Sequence, residues 1–365
     1  MLHVVERKFV ADSAQQLQLL SVVAIGDSQG FVKSRSGLTW DHVRQILAHK
    51  ASGNKIASWA SDESVMTTGV EYAAMSLLQL VDELYALHQF DNYVLIDCTS
   101  SQAIAPALVR AKHLGFAVIM ANKLPLSADT ELYEQLVFTS NGKRSPLVQY
   151  EATVGAGLPV INTLKRVVAS CDNIVSVQGS FSGTIGYVLA EMNRGSTFSA
   201  ALSVAHELGI TEPDPRDDLS GADVARKMVI LAREMSLRVE IAKVKIEKLI
   251  PDAFFALSVP EFLAKLSELD AAFGQRWLDA DSANGSRLVY LGTITADGEL
   301  RIGLETVPQS NVFANTQSTE GAIEIRSKWF PEPVVLRGTG AGINSTGAAL
   351  AADLAQVLGS FGTVS

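Results

Sequence analysis

Tyr93-Val-Leu-Ile-Asp97, an apolar-periodic stretch over residues 104–114 closed by Gly115, and Ala117-Val-Ile-Met-Ala121 follow one another along the chain. Two short β-branched runs around a helix of this length form a right-handed βαβ unit with parallel strands. The fold class is therefore α/β. In such sheets ligands lie beyond the carboxyl ends of the strands. Thr99, Ser100 and Ser101 thus stand at one strand mouth, and Asn122 and Lys123 at the next. The three hydroxyls also suit a plain helix N-cap. Lys123 is harder to explain by structure alone, because a lysine just outside a buried parallel strand holds its ammonium at the ligand crevice.

Upstream of this unit, Ser21-Val-Val-Ala-Ile25 reads as a strand ended by the turn Gly26-Asp-Ser-Gln-Gly30. Trp40 to Lys50 and Glu71 to Leu87 carry helical spacing, the second with Tyr72, Met75, Leu78, Val81 and Leu84 on one face. Downstream, the pattern changes around Pro146. Glu151-Ala-Thr-Val-Gly-Ala-Gly-Leu-Pro159 leads into a helix over residues 160–170, and its glycines imply a tight turn or a close approach of backbone. A strand over 174–181, a helix entered at Gly183-Thr-Ile-Gly186 and a helix over 198–208 come next. Arg287 to Pro308 and Ala322 to Leu336 alternate as antiparallel strands do.

The 365 residues suit two domains, and 47 % hydrophobic with 19 % charged residues gives ample apolar surface for folding. A formal charge of −9 disfavours nucleic acid and anionic membranes as partners, leaving small molecules. Cys98 and Cys171 cannot build a disulfide framework, and no Cys/His cluster has zinc spacing. With no apolar run of membrane-spanning length and no secretory pattern at Met1 to Asp12, a cytoplasmic location is expected.

The densest chemistry runs from Gly209 to Lys227 and contains Glu212, Asp214, Asp217, Asp218 and Asp223. Pro213 and Pro215 stiffen its first part as an extended loop, and Ser220 can cap a helix running to about Met235. Asp223 and Lys227 are four apart and project from one helical face. That pair alone could be an exposed ion pair worth about 0.3–0.5 kcal/mol. Beside a rigid loop carrying Glu212, however, it makes an acidic pocket for an ammonium with a lysine at hand, which suits an amino-acid site. Gly338-Thr-Gly-Ala-Gly342 precedes a last helix to about Val357, and such a turn serves an anion or close packing equally well.

In this order and spacing, Asp97-Cys-Thr-Ser-Ser101, Ala121-Asn-Lys123, Glu151 to Pro159, Ser182-Gly-Thr184, Thr211 to Asp218, Asp223-Val-Ala-Arg-Lys227 and Gly338 to Gly342 resemble homoserine dehydrogenase, the short fungal and plant-like branch most. The resemblance implies a Rossmann-type NAD(P)-binding domain over 1–149, with 331–365 returning to it, and an α+β catalytic and dimerisation domain over 150–330. It implies NAD(P)-dependent, reversible reduction of L-aspartate 4-semialdehyde to L-homoserine in threonine and methionine biosynthesis by a homodimer. Lys227 and Lys123 would be catalytic. Gly209, Glu212 and Asp223 would bind substrate, and Thr99, Lys123 and Gly342 the cofactor, NADP or NAD. Glu151, Val154, Ala156 and Leu158 would bind a monovalent cation, sodium.

Dinucleotide folds open with a strand running into Gly-x-Gly-x-x-Gly. Met1 to Leu20 contains no glycine, and Val10 to Leu20 reads as the latter part of the helix that follows such a loop. Ser21 to Ile25 then corresponds to the second strand, and the nucleotide domain is expected to be N-terminally incomplete, with weak binding of NAD(P)H or none. A non-catalytic dimerising homologue is the alternative. Asp27 would favour NAD, Lys33 and Arg35 a 2′-phosphate. Neither an effector domain nor an aspartate kinase is expected on this chain.

Overall fold

The computed structural model describes residues 20–62, 69–283, 285–316 and 320–361. The expected absence of a first strand and phosphate loop concerns residues up to 19, which lie outside the described ones. The chain divides into two compact units. The larger comprises Asp97–Ser101 and Ile119–Gly359, and the smaller the residues up to Ile96, Gln102–Val118 and those from Ser360.

The smaller unit opens with a hairpin of β1 (Val22–Asp27) and β2 (Gly30–Leu38), antiparallel with Asp27 opposite Gly30. The segment read as the second strand of a nucleotide fold is thus paired, among the described residues, with an antiparallel neighbour. Helix α1 (Trp40–Ala51) begins at Thr39, whose hydroxyl accepts the amide of His42 while the His42 ring accepts the amide of Thr39. Residues 71–76, expected to start a helix, do not. Val70–Ala73 forms β3 against β2, and helix α2 (Leu77–Leu87) starts only after Ser76, whose hydroxyl accepts the Gln79 amide. Tyr72 fits either periodicity, but here its hydroxyl donates to the Gln29 carbonyl (2.8 Å) across the sheet. Val32, Leu38, Val43, Ile46, Ile56 and Trp59 form the core of this sheet and its helices. Each such side chain contributes about 1.5–3 kcal/mol by leaving water.

The βαβ unit is present as expected. β4 (Val94–Asp97), α3 (Ala105–His113) and β5 (Ala117–Met120) follow in sequence, and β6 (Val148–Gln149) completes a sheet of order β4-β5-β6. The amides of Ala117 and Ala121 donate to the carbonyls of Tyr93 and Asp97, the constant offset of a parallel pair.

The larger unit contains α4 (Thr130–Val137), α5 (Val160–Ala169), α6 (Gly183–Asn193), α7 (Phe198–Glu207) and α8 (Ala222–Glu234). Its sheet has the order β12-β11-β7-β9-β10-β8. The strands are β7 (Ile174–Ser180), β8 (Lys245–Ile246), β9 (Arg287–Thr295), β10 (Leu300–Val307), β11 (Glu320–Ser327) and β12 (Val334–Thr339). All neighbours are antiparallel except β10 and β8. The expected alternation at 287–308 and 322–336 is therefore real. Helix α9 (Ile343–Phe361) closes the described chain. The extended loop expected around Pro213 and Pro215 is shorter than anticipated: Pro215 opens a helical turn to Leu219, a position where its missing N–H costs nothing, and Asp214 caps it. Ser220 is not the N-cap of α8. Gly221 holds that position, and the Ser220 hydroxyl accepts the amide of Ala222.

A buried charge anchors the far end of α8. The Glu234 carboxylate accepts from the Tyr133 hydroxyl (3.2 Å), from Arg144 Nη1 (3.0 Å) and from the Tyr150 hydroxyl. Lys165 of α5 stands 4.4 Å over the Tyr150 ring. Burial, then the nearby Glu234 charge, pushes Tyr133 up to about 12, so the phenol is a donor throughout the working range. Removing one partner of a buried pair leaves the other uncompensated. Glu234→Ala is expected to cost about 3 kcal/mol in urea unfolding, with Glu234→Leu/Arg144→Met recovering most of it. A loss well under about 1 kcal/mol would place the anchor elsewhere.

Candidate functional site

Lys123 leaves the mouth of β5, while Asp223 and Lys227 rise from the first two turns of α8. In space the three converge. Asp223 Oδ2 lies 2.7 Å from Lys227 Nζ and its Oδ1 3.3 Å from Lys123 Nζ. Lys227 Nζ also donates to the Phe181 carbonyl at 2.7 Å. An isolated surface ion pair does not describe this group, since the Lys227 side chain is only 15 % exposed and the carboxylate serves two ammoniums. Burial alone would raise the Asp223 carboxyl, but the charges of Lys227 and then Lys123 outweigh it and hold it well below the usual carboxylate range.

The loop from Gly209 is fastened to the same group. Thr184, in the first turn of α6, donates its hydroxyl to the Ile210 carbonyl (3.0 Å) and to Asp218 Oδ1 (2.8 Å), and Asp218 Oδ2 accepts the Glu212 amide (2.8 Å). Burial, followed by the negative charges of Glu212 and Asp223, raises the Asp218 carboxyl, so these carboxylates share one neighbourhood. The Glu212 side chain is exposed, and its carboxylate makes no hydrogen bond or ion pair among the described residues. Gly209 takes a left-handed backbone (φ 67°) open to solvent.

Thr99 lies at the mouth of β4, its hydroxyl accepting the amide of Ser101 and the side chain of Asn122. Gly342 sits directly before α9, and its carbonyl accepts the amide of Thr346. A Cβ at Gly340 would meet the backbone of Gly321 at 2.8 Å, so this glycine at least serves close packing. Two of the three cofactor-selecting candidates are occupied, while Arg35 is exposed. Asp27 accepts from Lys50 (2.6 Å) and from the amides of Gln29 and Ile56, and Lys33 pairs with Glu83 (2.5 Å) and Glu71 (3.3 Å).

Glu151, Val154, Ala156 and Leu158 share one tight turn before α5. The two Glu151 oxygens accept the amides of Ile161 and Asn162, so the carboxylate caps α5. Ala156 holds a left-handed backbone (φ 52°), a conformation costing a non-glycine residue roughly 1–2 kcal/mol. A Cβ at Gly157 would lie 2.9 Å from the Ser345 carbonyl, so the turn and the start of α9 are in contact. Among the described residues no group of histidine, cysteine, aspartate or glutamate side chains is arranged to hold a metal.

Of the groups that complete the site, the Phe181 carbonyl escaped the sequence reading, because a backbone acceptor has no residue signature. The Thr184 clip had a signal in Ser182-Gly-Thr184 at a helix start. Asn122 stood next to Lys123 without a role.

A homoserine dehydrogenase family model matches residues 159–355, and one of the homoserine dehydrogenase NAD-binding domain matches 14–145. The chain belongs to the homoserine dehydrogenase family. The homoserine dehydrogenase of Saccharomyces cerevisiae is 35 % identical over 72 % of this chain and 75 % of its own length. The bifunctional aspartokinase/homoserine dehydrogenase 2 of Escherichia coli is 38 % identical over 74 % of this chain. The chain spans about a third of that relative's length (34 %). Among solved structures, a Candida auris protein of unknown function is similar over 94 % of both chains, with 27 % identity and a TM-score of 0.79. The family fold, a nucleotide-binding α/β part and a mixed-sheet part, agrees with the elements described above. No helix among the described residues is long and apolar enough to cross a membrane.

Burial gives the turn before α5 a pH signature. It pushes Glu151 up to about 7 against its two amide donors, and Asp353 of α9, which accepts the Glu151 amide (2.9 Å), up to about 6. Both carboxyls thus keep protons in the folded state after the unfolded chain has released them, so stability falls as pH rises from about 4 to about 7. The lowered carboxyl of Asp223 acts oppositely, giving stability that is lost only as pH falls below the ordinary carboxylate range. Urea midpoints at pH 5 and pH 7.5 are expected to differ less in Asp353→Asn than in the wild type. An unchanged difference would show that Asp353 does not titrate in that window.

Proposed function

We propose that the chain is an NAD(P)-dependent oxidoreductase, a homoserine dehydrogenase (EC 1.1.1.3) interconverting L-aspartate 4-semialdehyde and L-homoserine in amino-acid biosynthesis. One observation carries the reading: Asp223 holds two ammoniums, Lys227 and Lys123, beside an acidic loop whose Glu212 carboxylate is unpaired. An ammonium has three donors. Lys227 spends one on Asp223 and one on the Phe181 carbonyl, which leaves one directed donor for a substrate oxygen.

When bound, the nicotinamide supplies or accepts the hydride at the carbon bearing that oxygen. Thr99, Lys123 and Gly342 are its proposed contacts, and the match of residues 14–145 to an NAD-binding domain supports it. As the aldehyde is reduced, its oxygen gains negative charge, which the Lys227 ammonium stabilises and then protonates. Lys123 shares Asp223 with Lys227 and adds positive charge on the cofactor side. Glu212 takes the substrate ammonium, with the open backbone at Gly209 beside it, and Asp223 orients the hydroxyl end. NADP and NAD are both proposed as usable, since Asp27 and Lys33 are each engaged within their own unit.

The nucleotide-binding part is assigned to 1–149 with 331–365, and the catalytic part to 150–330. A sodium ion on Glu151, Val154, Ala156 and Leu158 would brace the turn that carries α5. A cytoplasmic homodimer is the proposed form.

The decisive experiment is turnover of homoserine with NADP and NAD, alongside fluorescence titration with NADPH. Lys227→Ala and Lys123→Ala are expected to lower kcat by about 10²–10⁴ with thermal midpoints little changed. A chain that binds NADPH but oxidises no homoserine would overturn the proposal, as would lysine variants that turn over normally. Substrates lacking the amino group should react poorly if Glu212 binds the ammonium.

A further inference from the structure

Asn122 is 2 % exposed, and both ends of its amide are used. Its Nδ2 donates to the Ser101 carbonyl (2.9 Å) and the Thr99 hydroxyl (3.3 Å), and its Oδ1 accepts the amide of Leu124 (3.0 Å). Asp97, 3 % exposed at the end of β4, holds the Thr99 amide at 2.8 Å. The loop after β4 and the turn after β5 are thereby joined through one side chain.

Lys123 stands between the two residues that this amide and the next turn grip. On its far side the Leu124 amide is held by Asn122. Its own carbonyl accepts the amide (3.0 Å) and hydroxyl (2.9 Å) of Ser127. Lysine is a flexible four-carbon stem carrying a point charge, so its head is placed only as well as its backbone. The Lys123 contact to Asp223 is 3.3 Å, longer than the 2.7 Å of Lys227, and it has the less margin against a backbone shift.

We propose that Asn122 is the positioning residue for the Lys123 ammonium, and that the same amide fixes the Thr99 hydroxyl relative to it. Thr99 and Lys123 then move as one body when nucleotide and substrate bind. A buried asparagine directly before the lysine is thereby part of the reaction geometry rather than filler at a strand end. This rests on the oxidoreductase reading for its kinetic consequence but not for its structural one.

The test has two arms. In the kinetic arm, Asn122→Ala should lower kcat/KM by about 30-fold, mostly in kcat, as a misplacement below 1 Å would. In a Lys123→Ala background the same change should cost under about 3-fold in kcat, because no ammonium remains to misplace, while the cofactor KM still rises through Thr99. Losses that multiply independently would overturn the proposal. The second arm needs no activity. Acetylation by an N-hydroxysuccinimide ester, read residue by residue by mass spectrometry, should be slow at ion-paired Lys123 and several-fold faster in Asn122→Ala. Exposed Lys245 should label as before; an unchanged Lys123 rate would overturn the proposal.

If Asn122→Ala does not fold, Asn122→Asp keeps the acceptor for Leu124 but loses the donor to Ser101 and Thr99. It should raise the cofactor KM with Lys123 labelling near that of the wild type, and any other pattern refutes the assignment. Absence of homoserine turnover in the wild type would refute the oxidoreductase reading instead, leaving the labelling arm to decide this one.

Discussion

Two ammoniums held at one carboxylate repel each other, and Asp223 is the anion that makes their approach tolerable. At a separation of a few ångströms and an effective dielectric near 20, like charges cost about 4 kcal/mol. One carboxylate oxygen for each lysine offsets this and leaves the trio with one net positive charge. In the proposed reaction that residual charge would meet the oxygen that becomes an alkoxide. The carboxylate itself is 47 % exposed, yet the charges of the two lysines hold its carboxyl well below the usual carboxylate range. Helix geometry supplies half of the arrangement, because residues four apart face the same way. Lys123 must be brought from the end of a parallel strand, so that half depends on the tertiary fold.

The same dependence explains how α8 is held. Its first turns carry Asp223 and Lys227, and its last residue is Glu234, fully buried among Tyr133, Tyr150 and Arg144. A rigid helix anchored at one end by a buried carboxylate presents its other end reproducibly. The Phe181 carbonyl, at the end of β7, then fixes the direction of Lys227. The candidate site is therefore built on a strand end and a helix, with Glu212 carried on the loop beside them. Thr184 and Asp218 restrain even that loop at its backbone while leaving the Glu212 side chain unpaired.

Much of this could be read along the chain, and the failures have physical causes. The βαβ unit was legible because two short β-branched runs flank a helix of the right length, and Lys123 was legible because ligands gather at strand mouths. Asp223 and Lys227 were legible as a pair through their spacing, but not as a trio, since nothing local connects them to Lys123. Glu71 to Ala73 misled because Tyr72 satisfies both a helical and an alternating pattern; its pairing with Val32 of β2 decides for the strand. Pro213 and Pro215 were read as stiffening a loop, whereas Pro215 is equally suited to the first position of a helix, and Asp214 supplies the missing cap. Asn122 could be placed but not interpreted, because its function lies in three backbone and side-chain partners that only folding assembles.

The turn before α5 shows how one short segment can serve several parts at once. Glu151 caps α5 with both oxygens, its own amide is held by Asp353 of α9, and Gly157 lets the backbone of Ser345 approach. Burial leaves both carboxyls reluctant to ionise, with Lys165 the compensating charge nearby. The proposed sodium ion among the carbonyls of this turn would add positive charge where two carboxyls are poised between states. It would favour their ionised forms and so strengthen the cap on α5 and the tie to α9 together. An ion bound in this turn could in this way govern a helix start and the last described helix without touching the reacting atoms.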